Sequence, residues 1–337
     1  KVYFDKEKYG QWIVNELEDF YHFKAVDFQT NRANANEVAS GNNSVICGGR
    51  NNRSSGSDCV IVGGVSNIVT NQRSFIGGGQ GNNLTTLNGG VICGGESNST
   101  SANGLIFIGG GQSNSATGAN NFIGGGGSNT CGSSSYISVV GGQSNTASGT
   151  HGIISGGQGN TLSGSYANIK GGFQAVASLY GQSANASGRF SANGDAQAHE
   201  LIWRAAITGA PVGGTELFLD GASVAAILPS TNAIWHGVID CAAVCTSAGN
   251  GTTVAGEVEA TSYKVTIKRI GTNTVLVGTV QEIGTTNADT SMASSTFTID
   301  NNNTNESLRI VFTSPITAGT TTTIRALATF RGLQIQY

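Results

Sequence analysis

The ionisable side chains that could do chemistry are few in this 337-residue chain and widely separated. Cleavage of a glycosidic bond needs two carboxylates across a groove, but only Asp58 and Glu96 occur between residues 42 and 190. They occupy different positions of the repeat described below, more than two repeats apart. The later carboxylates fall mostly in strand-like contexts that are typical of solvated surface groups: Asp220, Asp240, Glu257, Glu259 and Glu282. We therefore predict no catalytic residue and no enzymatic activity, although a pair formed between chains stays open.

No other pattern indicates a metal, cofactor or nucleophile. The histidines lack metal-ligand spacing, and no Gly-x-Ser-x-Gly elbow stands at a strand-to-helix turn. The stretch 300–306 resembles a calcium loop but lacks the central glycine and the later glutamate, which favours an Asx-rich turn. The cysteines form no Cys-x-x-Cys pair and predict free, packed thiols: Cys47, Cys59, Cys93, Cys131, Cys241 and Cys245.

Composition excludes several partners. Charged residues make up 11% of the chain and the net charge is -3, so no basic patch predicts nucleic-acid binding. No apolar run of 18 residues occurs, so no membrane insertion is expected. The chain begins at Lys1 without a charged and then apolar leader, so no signal peptide is expected, and the missing initial Met suggests a processed or truncated chain.

A repeat of 15 to 16 residues dominates the first half of the chain. Gly-Gly pairs begin at Gly48, Gly63, Gly78, Gly94, Gly110, Gly125, Gly141, Gly156 and Gly171. Two residues before each pair stands a β-branched residue: Ile46, Ile61, Ile76, Ile92, Ile108, Ile123, Val139, Ile154 and Ile169. Three residues after eight of the pairs stands an asparagine: Asn52, Asn67, Asn82, Asn98, Asn114, Asn129, Asn145 and Asn160. The ninth copy has Ala175 there, which marks the end of the array.

These columns predict a parallel β-solenoid of nine coils over residues 42–190. The β-branched column points inward and stacks from coil to coil, so that the coils stabilise one another. The glycines permit the positive φ of a corner, and the asparagines form an amide ladder there. Each coil advances about 4.8 Å, so nine coils span on the order of 40 Å. A flexible Gly/Ser linker would not keep isoleucine in phase, and a calcium-binding roll would need an aspartate in each coil.

The pattern Ile-x-Gly-Gly-x-x-Asn-x-Ala-Ser-Gly, clearest from Val139 to Gly149, resembles the head repeats of trimeric autotransporter adhesins. It also resembles the glycine-rich repeats of viral and bacteriophage tail fibres. The run Gly194-Asp195-Ala196-Gln197, followed by an all-β region, is similar to the distal part of such fibres. The resemblance covers roughly residues 42–337 and implies a parallel homotrimer with a receptor-binding tip.

The two ends differ from the solenoid. Residues 6–24 show helical periodicity, in which Tyr9, Ile13 and Leu17 share a face, and they predict a cap or trimerisation segment within residues 1–41. Residues 191–337 contain alternating strands such as Tyr263, Val265 and Ile267, which predict an antiparallel β-sandwich or jelly roll.

The sequence thus favours a virion tail fibre that attaches to a host surface receptor, which is a glycan or a protein. Its other expected partners are identical chains and other fibre or virion proteins. A cellular surface adhesin is the alternative. A glycan-degrading tailspike is less favoured because of the missing carboxylates, and an ice-binding face because no regular threonine column exists. Polar loops at Asn250, Asn287 and Asn302 are candidate receptor contacts. Trp203, Trp235 and Tyr263 could stack on sugars, although core packing is favoured for each.

Overall fold

The computed structural model describes residues 25–85, 89–101, 104–209, 214–229, 232–247, 254–314 and 321–337. All regular secondary structure in these ranges is β-strand, and no helix there is long and apolar enough to cross a membrane. The helix predicted over residues 6–24 lies outside the described residues. The chain forms two compact units, Lys1–Leu162 and Ser163–Tyr337, so the observed division falls before the predicted boundary at residue 190.

The first unit is a parallel β-solenoid, as predicted. Each coil contributes one short strand to a first parallel sheet, and neighbouring coils pair in register. Its strands are Ala25–Asp27, Ser44–Ile46, Val60–Ile61, Phe75–Ile76, Gly90–Ile92, Ile106–Ile108, Asn121–Ile123, Ser138–Val139 and Ile153–Ile154. Within the described residues the solenoid already includes Ala25–Asp27, upstream of the predicted boundary at residue 42, because this strand pairs with Ser44–Ile46.

A second parallel sheet and a line of single bridges complete each coil. The strands of the second sheet are Arg53–Ser54, Ile68–Val69, Asn83–Leu84, Ser99–Thr100, Ser115–Ala116, Thr130–Cys131, Thr146–Ala147 and Thr161–Leu162. On the third side, bridges link Arg50, Val65, Gln80, Glu96, Gln112, Gly127, Gln143 and Gln158 in that order. The coil consequently presents three sides that differ in their outward residues.

The core of the solenoid contains several inward columns, including one of mixed residues two positions before the β-branched column, such as Cys59, Ile106 and Ile137. The β-branched column of the first sheet is 0% exposed at every position from Ile46 to Ile154. The second sheet contributes an inward column of mixed residues: Ser54, Val69, Leu84, Thr100, Ala116, Cys131, Ala147 and Leu162. The sequence did not reveal this second column because its residue type changes from coil to coil.

The asparagine column forms a buried hydrogen-bond ladder. Asn114 is 0% exposed, and its Nδ2 donates to the carbonyl oxygens of Gly110 and Gly126, each at 2.9 Å. Its Oδ1 accepts the backbone N–H of Asn129 in the next coil at 3.0 Å. The amide thus closes its own corner and ties it to the coil that follows.

One glycine of each pair is required by close backbone approach. Gly142 has a φ of 91°, and a Cβ added there would lie 2.0 Å from the carbonyl oxygen of Gly157. An added Cβ at Gly141 would meet nothing within 4 Å. The second glycine of the pair therefore determines the spacing of the coils, whereas the first has room for a side chain.

The second unit begins with parallel strands and continues as antiparallel sheet. Asn168–Phe173 pairs in parallel with Ser183–Ser187, and Val176–Ala177 is a further short strand. The first unit has nine strands in its first sheet and the second unit has two parallel strands of its own, so the described residues contain about 11 turns, two more than predicted. The long antiparallel strands follow the order Ser183–Ser187, Ala196–Thr208, Thr323–Gln336, Ala233–Ser247 and Val258–Ile270, with Asn273–Leu276 and Gln281–Ala288 at the edge.

A smaller sheet shares a hydrophobic core with these long strands. Ser307–Thr313 pairs with Thr215–Glu216, Ala226–Ile227 and Thr296–Asn302, all antiparallel. Trp203 and Trp235 of the large sheet belong to the same buried cluster as Phe312 of the small one. Burial of these side chains removes a large apolar area from water and so stabilises this part.

The Gly-Asp-Ala-Gln run ends the parallel strands of the second unit. The Asp195 carboxylate accepts the backbone N–H groups of Phe190, Ser191 and Ala192, which shapes a tight loop. The Gln197 side chain then pairs with both backbone groups of Val176, accepting its N–H at 2.8 Å and donating to its carbonyl at 2.9 Å. The Gln197 amide thus makes the hydrogen bonds that a neighbouring strand would make, and it covers part of an open sheet edge.

Candidate functional surfaces and cavity

The outward side of the first sheet in the first unit is an apolar strip. Along the strands the outward residues are Val45, Val60, Phe75, Val91, Phe107, Phe122, Ser138 and Ile153, and each pairs in register with the next. The residue after each core position extends the strip with Cys47, Val62, Gly77, Cys93, Gly109, Gly124, Val140 and Ser155. No position of the strip is charged. Phe107 and Phe122 stack with ring centroids 5.4 Å apart.

Large side chains in the apolar strip are substantially exposed. Phe107 and Phe122 are 38% and 39% exposed, and Val62 and Val140 are 46% and 48% exposed. A contiguous apolar surface of this kind, repeated over eight coils, is typical of an interaction site.

The other two sides of the first unit carry polar groups. The second sheet directs Arg53, Ile68, Asn83, Ser99, Ser115, Thr130, Thr146 and Thr161 outward, and the third side carries glutamine at four of its eight positions. Asp58 accepts a hydrogen bond from Asn43 Nδ2 at a corner, while the Glu96 carboxylate on the third side accepts one from Gln112 Nε2. The two carboxylates of the repeat therefore do not form a pair within this unit.

The second unit contains a cavity of about 740 Å³ lined by two carboxylates and two arginines. Asp220 and Glu259 line it together with Arg204, Arg325 and small apolar side chains. Backbone N–H groups from Val224, Ser223 and Ala222 donate to the Asp220 carboxylate and lower its pKa to about 2.

Glu259 has the opposite electrostatic environment. It is 2% exposed, and Ser295 Oγ–H donates to its carboxylate. Burial, together with the negative charge of Glu282, raises the pKa of Glu259 to about 7. Asp220 and Glu259 thus have opposite pKa shifts, but the Glu259 carboxyl is buried against Ser295, on the opposite face of its strand from the cavity-lining residues Val258 and Ala260.

Two of the three residues predicted to lie in receptor-binding loops lie in strands. Asn250 lies outside the described residues, whereas Asn287 is an exposed residue of the strand Gln281–Ala288. Asn302 ends the strand Thr296–Asn302, and its Oδ1 accepts the backbone N–H of Thr304 at 2.9 Å. Asn287 and Asn302 therefore lie in strands where loops were predicted, and their role as receptor contacts stays a prediction.

The other residues that the sequence singled out are buried or bonded within the second unit. Trp203 and Trp235 are 1% and 0% exposed, so neither can stack on a sugar, and Tyr263 donates from its hydroxyl to the Phe297 carbonyl. The carboxylates of the calcium-like stretch are both in ion pairs, Asp300 with Arg309 and Glu306 with Arg269. These groups serve the packing of the second unit.

No protein-family profile matches the chain, and no curated protein sequence matches it. Solved structures similar to it are phage tailspike proteins. The Acinetobacter phage vB_ApiP_P1 tailspike is 17% identical with a TM-score of 0.25, and the match covers 87% of this chain and 56% of that one. The Acinetobacter baumannii phage AM24 tailspike is 10% identical with a TM-score of 0.23, over 90% and 60%. A tailspike of Acinetobacter baumannii bacteriophage Fri1, described as a capsular polysaccharide depolymerase, is 7% identical with a TM-score of 0.20, over 85% and 61%.

The chain spans less than two thirds of each of these structures. All three are phage proteins, and no comparison supports the cellular adhesin that was the alternative. At TM-scores of 0.25 and below, the likeness carries no argument about the details of this chain.

The prediction that the chain is not an enzyme is wrong in the light of this finding, since one similar structure is described as a depolymerase. The prediction relied on carboxylates that were distant in sequence. Asp220 and Glu259 line the same cavity although they come from different parts of the second unit, because antiparallel strands bring remote residues together. Sequence distance was therefore no basis for excluding catalysis.

Proposed function

We propose that the chain is part of a homotrimeric phage tail fibre or tailspike that attaches the virion to its host by binding a surface polysaccharide. The observation that carries the proposal is the contrast between the sides of the solenoid in the first unit. One side is an uncharged apolar strip, and the other two carry mostly polar residues, with charges at Arg50, Arg53 and Glu96 and only neutral polar groups in most of the later coils. The first suits association with identical chains, and the second suits a hydroxyl-rich ligand.

Self-association through the apolar strip explains its composition. Its residues would be costly to leave in water over eight coils, and a charge-free ladder packs well against a copy of itself. Three copies around a common axis, as the resemblance to trimeric fibres implies, would direct the same side of each chain toward that axis. Other fibre or virion proteins would then continue the assembly beyond the ends of this chain.

Polysaccharide binding is supported by the neutral polar surface. No Lys, Arg, Asp or Glu occurs between residues 97 and 169. Amide and hydroxyl groups donate and accept hydrogen bonds without the desolvation cost of a charge, and they match sugar hydroxyls. A host capsule or other surface glycan is therefore the proposed receptor.

The assembly is tested by Phe107→Asp in the apolar strip, with Thr146→Asp on the polar side as the matched control. Sedimentation equilibrium should find a trimer for the unaltered chain and for Thr146→Asp, and a dissociated chain for Phe107→Asp, because a carboxylate cannot be buried unpaired at an interface. A monomeric unaltered chain, or a trimer that tolerates Phe107→Asp, would refute this arrangement.

Receptor binding is tested on an array of bacterial surface oligosaccharides and capsular polysaccharides. Binding of at least one saccharide is expected, and binding to none would overturn the proposal. Incubation with the bound polysaccharide, followed by size-exclusion analysis of its length, then separates attachment alone from attachment with cleavage.

A further inference from the structure

The outward face of the large antiparallel sheet in the second unit carries a long groove. The cavity of about 740 Å³ described above adjoins a second one of about 360 Å³, and Ala242, Ala260 and Leu327 line both. One row of paired residues crosses five strands and lines the two cavities from end to end: Arg204, Leu327, Ala242, Ala260 and Asn287. With neighbouring strands about 4.8 Å apart, this row is about 19 Å long. The groove therefore has room for more than one sugar unit of a chain.

The floor of the groove is apolar because small side chains stand at its centre. Ala206, Ala242 and Ala260 come from three different strands, and Leu327 beside them is 46% exposed. Such a floor packs against the C–H groups of a sugar ring and removes apolar area from water. Polar contacts with a ligand must then come from the two ends of the groove.

Two arginines form the first end of the groove. Arg325 pairs with Ala206, and Arg204 lies diagonally opposite Arg325 on the same face. Arg204 Nη2 donates to the Asp220 carbonyl oxygen at 2.9 Å, and a Cβ added at Gly221 would lie 2.9 Å from Arg204 Nε. The Asp220 carboxylate accepts three backbone N–H groups, and neither arginine forms a salt bridge with a carboxylate of the described residues. Their planar donors are therefore available to an external carboxylate, whose geometry they match.

The opposite end of the groove presents neutral polar groups. Thr285, Asn287 and Thr329 line it with hydroxyl and amide groups, which bond well to sugar hydroxyls. Asp240 also lines this end, but its carboxylate forms an ion pair with Arg331. Asn287 is one of the residues that the sequence singled out as a candidate receptor contact. The groove thus joins a cationic end to a neutral polar end across an apolar floor.

We infer that this groove binds an acidic segment of the receptor polysaccharide, with a sugar carboxylate at Arg204 and Arg325 and a neighbouring neutral unit at the Asn287 end. The inference rests on the proposed function and adds that the receptor contains a carboxylated sugar. A second copy of this chain is disfavoured as the occupant, because its contact would bury Arg325 without a carboxylate partner.

The test uses the uronic acid-containing polysaccharide that binds the unaltered chain most tightly on the array described above. Calorimetric titration compares it with the same polysaccharide after chemical reduction of its carboxylates to alcohols. Arg325→Gln should weaken binding of the acidic form about fivefold to tenfold and leave binding of the reduced form unchanged. The affinity of the unaltered chain for the acidic form should fall with added salt, and that of Arg325→Gln should fall less.

Lys264→Gln is the matched control. It removes the same charge from an exposed residue of the same sheet face that lines neither cavity, so it should bind the acidic form like the unaltered chain.

The outcomes separate this inference from the proposed function. If the unaltered chain binds no polysaccharide, the proposed function fails and the inference fails with it. If it binds only neutral polysaccharides, or if Arg325→Gln binds the acidic form equally well, only the groove inference is refuted. If Arg325→Gln changes the sedimentation of the chain and leaves its polysaccharide affinity unchanged, this face is an interface between copies and the inference is overturned.

Discussion

The buried amide ladder makes a sharp prediction for Asn114→Ala. The substitution removes the donor to the carbonyls of Gly110 and Gly126 and the acceptor for the N–H of Asn129. All of these bonds lie at a corner where Asn114 is 0% exposed, so water cannot replace them without opening the coil.

The expected loss of stability is roughly 3–5 kcal/mol. Each net hydrogen bond contributes about 1 kcal/mol, and the N–H of Asn129, left buried without its acceptor, adds about 1–3 kcal/mol. This loss is a large fraction of the about 5–15 kcal/mol that stabilises an ordinary domain.

Denaturant unfolding followed by circular dichroism measures the effect, and hydrogen exchange locates it. The amides of the coils that contain Asn98 and Asn129 should exchange faster than in the unaltered chain. Asn83→Ala is the matched control, because Asn83 is an exposed outward residue of the second sheet. Its substitution should change the unfolding free energy by less than about 0.5 kcal/mol. A loss for Asn114→Ala no greater than that of the control would refute the role of the ladder.

Three further predictions follow from the corner glycines, the Gln197 amide and the buried carboxyl. The loss of unfolding free energy should be several times larger for Gly142→Ala than for Gly141→Ala, because only the former places a Cβ against the Gly157 carbonyl. Equal unfolding midpoints for the two variants would contradict this. Gln197→Ala should lower the free energy of unfolding by about 2 kcal/mol and speed hydrogen exchange at the Val176 amide, because both hydrogen bonds to Val176 are lost. Unchanged exchange at Val176 would contradict the role of Gln197 at the sheet edge. The pKa of Glu259 is raised from 4.5 to about 7, so its contribution to stability is complete below the unfolded value and is lost as pH rises through about 7. Glu259→Gln should therefore increase the free energy of unfolding by up to roughly 3 kcal/mol at about pH 8 and leave it nearly unchanged at about pH 4. Thermal unfolding at the two pH values measures this, and an equal shift in Tm at both would disprove the assignment.

The prediction of no enzymatic activity was wrong because the sequence does not show which carboxylates of the second unit come together in the folded chain. Asp58 and Glu96 could be placed within the repeat and did prove to be unpaired, because a coil repeats locally. Asp220 and Glu259 could not be placed, because antiparallel pairing in the second unit depends on turns and registers that composition does not specify. Their common cavity and their opposite pKa shifts became visible only in the structure.

The periodic sequence by itself determined the parallel solenoid. A residue that recurs every 15 to 16 positions must stack on its copies when coils pair in register, so the Ile46 column and the Asn52 column were readable from spacing alone. Only the tertiary structure decided which side of the coil is apolar. The physical reason is that spacing identifies which residues stack, whereas the path of the coil determines whether a stack faces the core or the solvent.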